Sequence, residues 1–195
     1  ALSAGQSVSA ADIAGGLLKF TPAANANGTG YASFTFQVQD NGGTANGGID
    51  LDPTPNTITV DVTSVNDAPS GADKTVTTTE DTAYTFTAAD FGFSDPSDSP
   101  ANALLAVKIT TLPGVGTLTD NNVALTAGQS VSAADIAGGL LKFTPAANAN
   151  GSATVTVRLQ DSGGTLDGGV DTTAPQTFSI TVASVNDAPS FANSG

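Results

Sequence analysis

The sequence predicts an all-β chain of immunoglobulin-like sandwich repeats in tandem. Three observations lead there: a long internal duplication, apolar residues at every second position, and turn residues that cut the chain into short strands. Residues 1–28, ALSAGQSVSAADIAGGLLKFTPAANANG, recur at 124–151 with one difference, Ser3 against Thr126. The offset of 123 falls to 121 between FTFQVQD (34–40) and VTVRLQD (155–161), and to 120 between the two SVNDAPS phrases at 64–70 and 184–190. Length changes therefore fall in loops, and the repeat has the size of a small domain rather than of a solenoid unit.

Each strand is justified by its pattern. Val155, Val157 and Leu159 alternate with Thr156, Arg158 and Gln160, and Phe178, Ile180 and Val182 alternate with Ser179, Thr181 and Ala183, the period of half-buried strands. The first copy repeats this with Phe34, Phe36 and Val38 and with Ile58, Val60 and Val62. Further strands are expected at 74–79, 83–88, 105–111, 117–125 and 139–143, set off by Gly, Pro and Asn. Seven short strands in about 115 residues make a sandwich. VSAADIAGG predicts a helical turn, capped by Ser132 and stopped by Gly138 and Gly139.

The expected organisation is a trailing part of one repeat over 1–63, a linker at 64–70, a complete repeat over 71–183, and a linker with the start of a next repeat over 184–195. Nothing before Ala1 matches residues 71–123, so Phe20, Phe34, Phe36 and Ile58 are expected to show their inner faces. Two readings follow. Either the chain is an excerpt of a longer array, or another chain supplies the missing strands.

Composition narrows the chemistry. The formal net charge is -13, from 18 acidic residues against Lys19, Lys74, Lys108, Lys142 and Arg158. No basic stripe exists to neutralise nucleic-acid phosphates or anionic membranes. Cys, His, Met and Trp are absent, which excludes the usual zinc, copper and iron–sulfur sites and the His-dependent nucleophile systems. All acids but Glu80 are Asp, a poor helix former and a good loop ligand for calcium. No apolar run is long enough to span a membrane as a helix.

In a seven-stranded sandwich successive loops fall at alternate ends. That puts Asp95 and Asp98 of FSDPSD beside Asp161 of LQDSGG at the entry, next to Asn66 and Asp67 of the first linker. At the exit lie Glu80, Asp81, Asn148 or Asn150, and Asn186 with Asp187 of the second linker. Asn-Asp-Ala-Pro is also a good turn, and Asp161 before two glycines suits a hairpin, so a purely structural role stays open for both. For Asp50, Asp52, Asp167 and Asp171 the solvated-loop reading is preferred.

The ordered set of VNDAP (Val65–Pro69, Val185–Pro189), EDT (Glu80–Thr82), FTPAANANG (Phe20–Gly28, Phe143–Gly151) and D-x-GG (Asp40–Gly43, Asp161–Gly164) resembles the cadherin-like tandem repeats of large bacterial surface and biofilm proteins. True cadherins bind calcium between domains through a linker acidic motif, an A–B loop Glu, a B–C loop DxD and an F-strand AxDxG. The resemblance therefore implies Asn66, Asp67, Asp95, Asp98 and Asp161 as entry ligands and Glu80, Asn186 and Asp187 as exit ligands. The LDRE ligand pair of true cadherins has no counterpart here.

The function so implied is a calcium-stiffened extender or adhesion repeat at a bacterial surface, extracellular, with adjacent repeats, like chains or surface glycans as partners and no catalysis. Two other classes compete. A carbohydrate-binding module needs exposed aromatic rings, and the chain has only Tyr31 and Tyr84 with no Trp. A glycoside hydrolase needs two suitably placed carboxylates, which composition permits. A strand-complemented, self-assembling filament subunit is the structural alternative.

Overall fold

The computed structural model describes residues 1–189. Ser190, which ends the second SVNDAPS phrase, and the tail 191–195, expected to begin a further repeat, lie outside the described residues. The chain divides into two compact units, Ala1–Ser64 and a second beginning at Val65.

In the first unit Ser9 accepts the Asp12 N–H at 3.0 Å and so starts helix α1 (Ala10–Ala14). Strands β1 (Gly28–Phe36) and β2 (Asn56–Val62) pair antiparallel, with Phe34 opposite Ile58. A two-stranded sheet offers a single layer, and a layer buries its apolar face only against another. No residue of this unit is buried, and Phe20, Phe34 and Ile58 stand 46%, 43% and 42% exposed.

The second unit has both layers. Its strands are β3 (Lys74–Thr79), β4 (Tyr84–Thr85), β5 (Leu104–Thr111), β6 (Thr117–Asp120), β7 (Val123–Ala124), β8 (Ser130–Ser132), β9 (Leu141–Thr144), β10 (Gly151–Asp161) and β11 (Gln176–Ala183), with helix α2 (Ala133–Ala137) after β8. One sheet runs β3-β11-β10-β5-β8 and the other β4-β9-β6-β7. Neighbours in the first sheet are antiparallel except β3, which lies parallel to β11 with Val76 opposite Ile180. The alternating residues of β10 and β11 point inward: Val155, Val157, Leu159, Phe178 and Ile180 meet Leu118, Leu141 and Phe143 of the other sheet. Phe86, Phe91 and Phe178 form the aromatic centre, with ring centroids 5.0–6.0 Å apart.

Two expected strands come out differently, each for a local reason. The run 117–125 folds back at Asn121 and Asn122, both at positive φ, so that β6 and β7 form a hairpin with Asp120 opposite Val123. Asn tolerates that backbone region better than most residues. The run 83–88 is strand only at Tyr84–Thr85, because Asp90 accepts the Thr87 N–H at 2.8 Å and the Thr87 hydroxyl at 3.0 Å and opens a short 3-10 turn over Ala88–Phe91. Lys74 also reaches Asp90 at 2.6 Å. Burial works against the Asp90 carboxylate, but Lys74 and the Thr87 donors outweigh it and hold it below its ordinary pKa. Its contribution to stability is therefore present above the ordinary carboxylate pKa and is lost as pH falls through the depressed one.

The duplication allows a matched test of burial. Phe20 and Phe143 occupy the same place in the repeat, yet Phe143 is 1% exposed. Phe143→Ala should cost about 3–5 kcal/mol in chemical denaturation of the second unit. Phe20→Ala should change stability by no more than about 0.5 kcal/mol.

Candidate linker and cation site

The segment that enters the second unit is bound to it through backbone and side chain together. The Val170 N–H donates to the Asn66 carbonyl at 2.9 Å, the Asp67 N–H donates to Asp98 Oδ2 at 3.0 Å, and Ser70 exchanges backbone hydrogen bonds of 2.7 and 3.0 Å with Ser94. Pro69 is buried between these anchors. A segment this polar stays pinned because its peptide groups at Asn66, Asp67 and Ser70 find partners on the domain, as backbone packed against protein requires.

The Asn66 side chain fits between two loops. Its Nδ2 donates to the Val170 carbonyl at 2.9 Å, the Gly164 carbonyl at 3.1 Å and Asp161 Oδ1 at 3.1 Å, while its Oδ1 accepts from Asn102 Nδ2 at 2.7 Å. Asp161 ends β10 and shapes its own turn by accepting the Gly163 N–H at 2.8 Å. A Cβ on Gly163 would overlap Asn66 Oδ1, so the first glycine of D-x-GG leaves room for the asparagine of VNDAP. The two motifs are the halves of one contact.

Below Asn66 lie two carboxylates, Asp161 at 0% and Asp95 at 5% exposure. Asp95 Oδ2 accepts the Asn102 N–H at 2.6 Å, whereas its Oδ1 is buried with no protein partner among the described residues. Burial pushes the Asp161 carboxyl above its ordinary pKa, the charges of Asp95 and Asp171 push the same way, and the Gly163 and Asn66 donors only partly offset them.

The structure thus gathers the expected entry residues Asn66, Asp95, Asp98 and Asp161 with the Asp67 backbone. Asn66 enters as an amide donor to Asp161, with its oxygen already engaged by Asn102, and so acts as a hydrogen-bonded plug. At the exit, buried Glu80 accepts the Val185 N–H at 2.5 Å and so holds the start of the second linker. Asn186 and Asp187 are exposed, and the contact recorded for them is Asn186 Nδ2 to the Asp187 carbonyl at 3.3 Å. Sequence reasoning missed Asn102 altogether and read Gly163 only as a turn glycine of D-x-GG, not as the space that Asn66 occupies. Asn102 sits seven positions beyond Asp95 in an irregular loop where no spacing rule marks it.

The donor chemistry suits a hard cation, since carboxylate oxygens dominate and one of them lacks a partner. Among the described residues no three acidic side chains converge as a metal-binding group. Two carboxylates from the domain would need linker, backbone or water oxygens to complete a calcium shell. The same geometry weakens the competing classes. Asp161 lies wholly under the Asn66 plug, out of reach of a glycosidic oxygen. Tyr84 packs edge-on against Phe86 at 5.1 Å and belongs to the core margin rather than to a sugar platform.

Residues 65–183 match the family model described as a cadherin-like domain. No curated protein and no solved structure matches the chain.

Asn66→Ala removes the donor from two carbonyls and a buried carboxylate and should cost about 1–3 kcal/mol, read from denaturant midpoints. Asp161 carries the opposite pH sign to Asp90. A raised carboxyl pKa gives stability that is present below the ordinary value and lost as pH rises through the raised one. In chelator, Asp161→Asn should therefore melt above the parent at neutral pH, and the difference should shrink on acidification towards about pH 4.

Proposed function

Because the chain belongs to the cadherin-like domain family, we propose that it is a non-catalytic extender and adhesion repeat of an extracellular bacterial surface protein, stiffened by calcium where the linker meets the complete repeat. The observation that carries the reading is the docked linker over a buried, unpartnered carboxylate oxygen. Asn66, Asp67 and Pro69 are held against the domain, and the buried Asp95 Oδ1 has no hydrogen-bond partner among the described residues. Asp95 and Asp161 would hold the cation from the domain side, with Asp98 and Asp67 contributing from the loop and linker. Glu80, Asn186 and Asp187 would serve the following junction in the same manner.

Bound there, calcium supplies positive charge that two crowded carboxylates lack. The chain's own residues do the rest. Asn66 fixes where the linker lies, Gly163 leaves it space, and Glu80 fixes where the next linker departs. A cation that binds this arrangement and not the unfolded chain stabilises it by mass action, by about 2.7 kcal/mol at a hundred times its dissociation constant. Adjacent repeats of the same chain are the first partners of such a module, with like chains as the adhesive ones.

Thermal melting and small-angle scattering in calcium and in chelator test this. Calcium should raise the melting temperature of the second unit by several degrees, roughly as that free energy requires, and should lengthen the particle. The double change Asp95→Asn and Asp161→Asn should abolish both responses. An equal calcium response in parent and double variant would remove these carboxylates from the reading, and no response in the parent would remove calcium.

A further inference from the structure

Asn66 Nδ2 lies among four acceptor oxygens. The Val170 carbonyl stands at 2.9 Å and the Gly164 carbonyl at 3.1 Å, and the Asp161 carboxylate offers Oδ1 at 3.1 Å and Oδ2 at 3.4 Å. An amide nitrogen carries two protons, so four acceptors exceed what it can satisfy with well-formed bonds. The orientation of the amide is dictated by its neighbours. Turned over, it would set its oxygen against two carbonyls and a carboxylate, and Asn102 Nδ2, now 2.7 Å from Asn66 Oδ1, would face a second donor. Carboxylate and carbonyl oxygens gathered in this way are the donor set of a hard divalent cation. Independently of these bonds, the neighbouring Asp95 side chain is 5% exposed, its Oδ1 has no partner among the described residues, and its charge acts on Asp161.

Resting on the calcium reading proposed above, we infer that the Asn66 side-chain amide occupies the seat of the cation. It competes with calcium for Asp161 and for the Gly164 and Val170 carbonyls, so Asn66 lowers calcium affinity instead of adding a ligand. Two backbone carbonyls thereby become ligands, and one side chain becomes an internal competitor. In the metal-free chain the partial positive charge of the N–H groups does weakly what the ion does when bound: it lies between the oxygens and offsets their repulsion.

Competition of this kind leaves the linker seated, because its backbone anchors do not involve Nδ2. The Val170 N–H still donates to the Asn66 carbonyl at 2.9 Å, the Asp67 N–H to Asp98 Oδ2 at 3.0 Å, and Ser70 keeps its backbone pairing with Ser94. The side chain leaves while the main chain stays. The seat is free only in the fraction of molecules from which the amide has withdrawn, and the apparent dissociation constant for calcium rises by the inverse of that fraction. Asn66 thus sets a threshold: below it the junction is closed by an amide, above it by an ion.

Calcium titration of the full 195-residue chain, read by calorimetry and by NMR, tests this. In Asn66→Ala the dissociation constant for calcium should fall about tenfold or more, the scale of a hydrogen bond to a charged group. In the parent, the Asn66 side-chain NH2 protons should lose their hydrogen-bonded shift as calcium binds, while the Val170 N–H stays protected from exchange. Should Asn66→Ala fold poorly, Gly163→Ala crowds the same side chain out of its seat and should also tighten calcium. Calcium held by a variant and not by the parent would be the strongest support. Equal or weaker binding by the variants, or Asn66 NH2 protons unmoved by bound calcium, would overturn the competition and leave the calcium reading standing. Binding by neither parent nor variants would remove calcium itself, and the competitor with it.

Discussion

The seating of the linker on the second unit depends on one half-buried amide. Asn66 faces the Gly164 and Val170 carbonyls, the Asp161 carboxylate and the Asn102 amide, all of which need partners once water is excluded. A buried polar group left unpaired costs more than a typical hydrogen bond contributes. The linker consequently has one seat and one register. A slip by a residue would put Val65 or Asp67 there, and neither can donate to two carbonyls and a carboxylate. Everything downstream inherits this: the Asp67 contact to Asp98, the burial of Pro69, the Ser70–Ser94 pairing and the start of β3.

The fold was largely legible because its signals are local or periodic. Alternation over 155–159 and 178–182 marked β10 and β11, and Ser132 with Gly138 marked α2. The misreadings at 83–88 and 117–125 share a cause. Thr87 with Asp90 and the Asn121–Asn122 pair satisfy the backbone through short-range geometry, and apolar periodicity does not register such competition. For the site, loop alternation in a sandwich was enough to bring Asp95, Asp98 and Asp161 to one end with Asn66. It could not show that Asn66 points its nitrogen at Asp161, nor that Asn102 links Asp95 to Asn66, because those facts depend on tertiary placement of an irregular loop.

The duplication separates what sequence does locally from what packing adds. Ser9 and Ser132 cap equivalent helices with the same 3.0 Å hydrogen bond, and Asp40 and Asp161 accept from Gly42 and Gly163 at 2.7 and 2.8 Å. These features form alike whether the neighbouring apolar residues are covered or bare. Burial differs completely between the copies. Turns and caps here are properties of a few adjacent residues, while the core is a property of two halves meeting.

The parallel pairing of β3 with β11 carries a mechanical consequence. These are the first and last strands of the complete repeat, and they run side by side in the same direction from Lys74 opposite Phe178 to Thr79 opposite Ala183. Tension applied through the flanking segments pulls the start of one against the end of the other, along the strand axis. The hydrogen bonds of that ladder are loaded together in shear, and none can be peeled open ahead of the rest. A repeat joined in this way meets stretching with a whole ladder at once rather than one bond at a time.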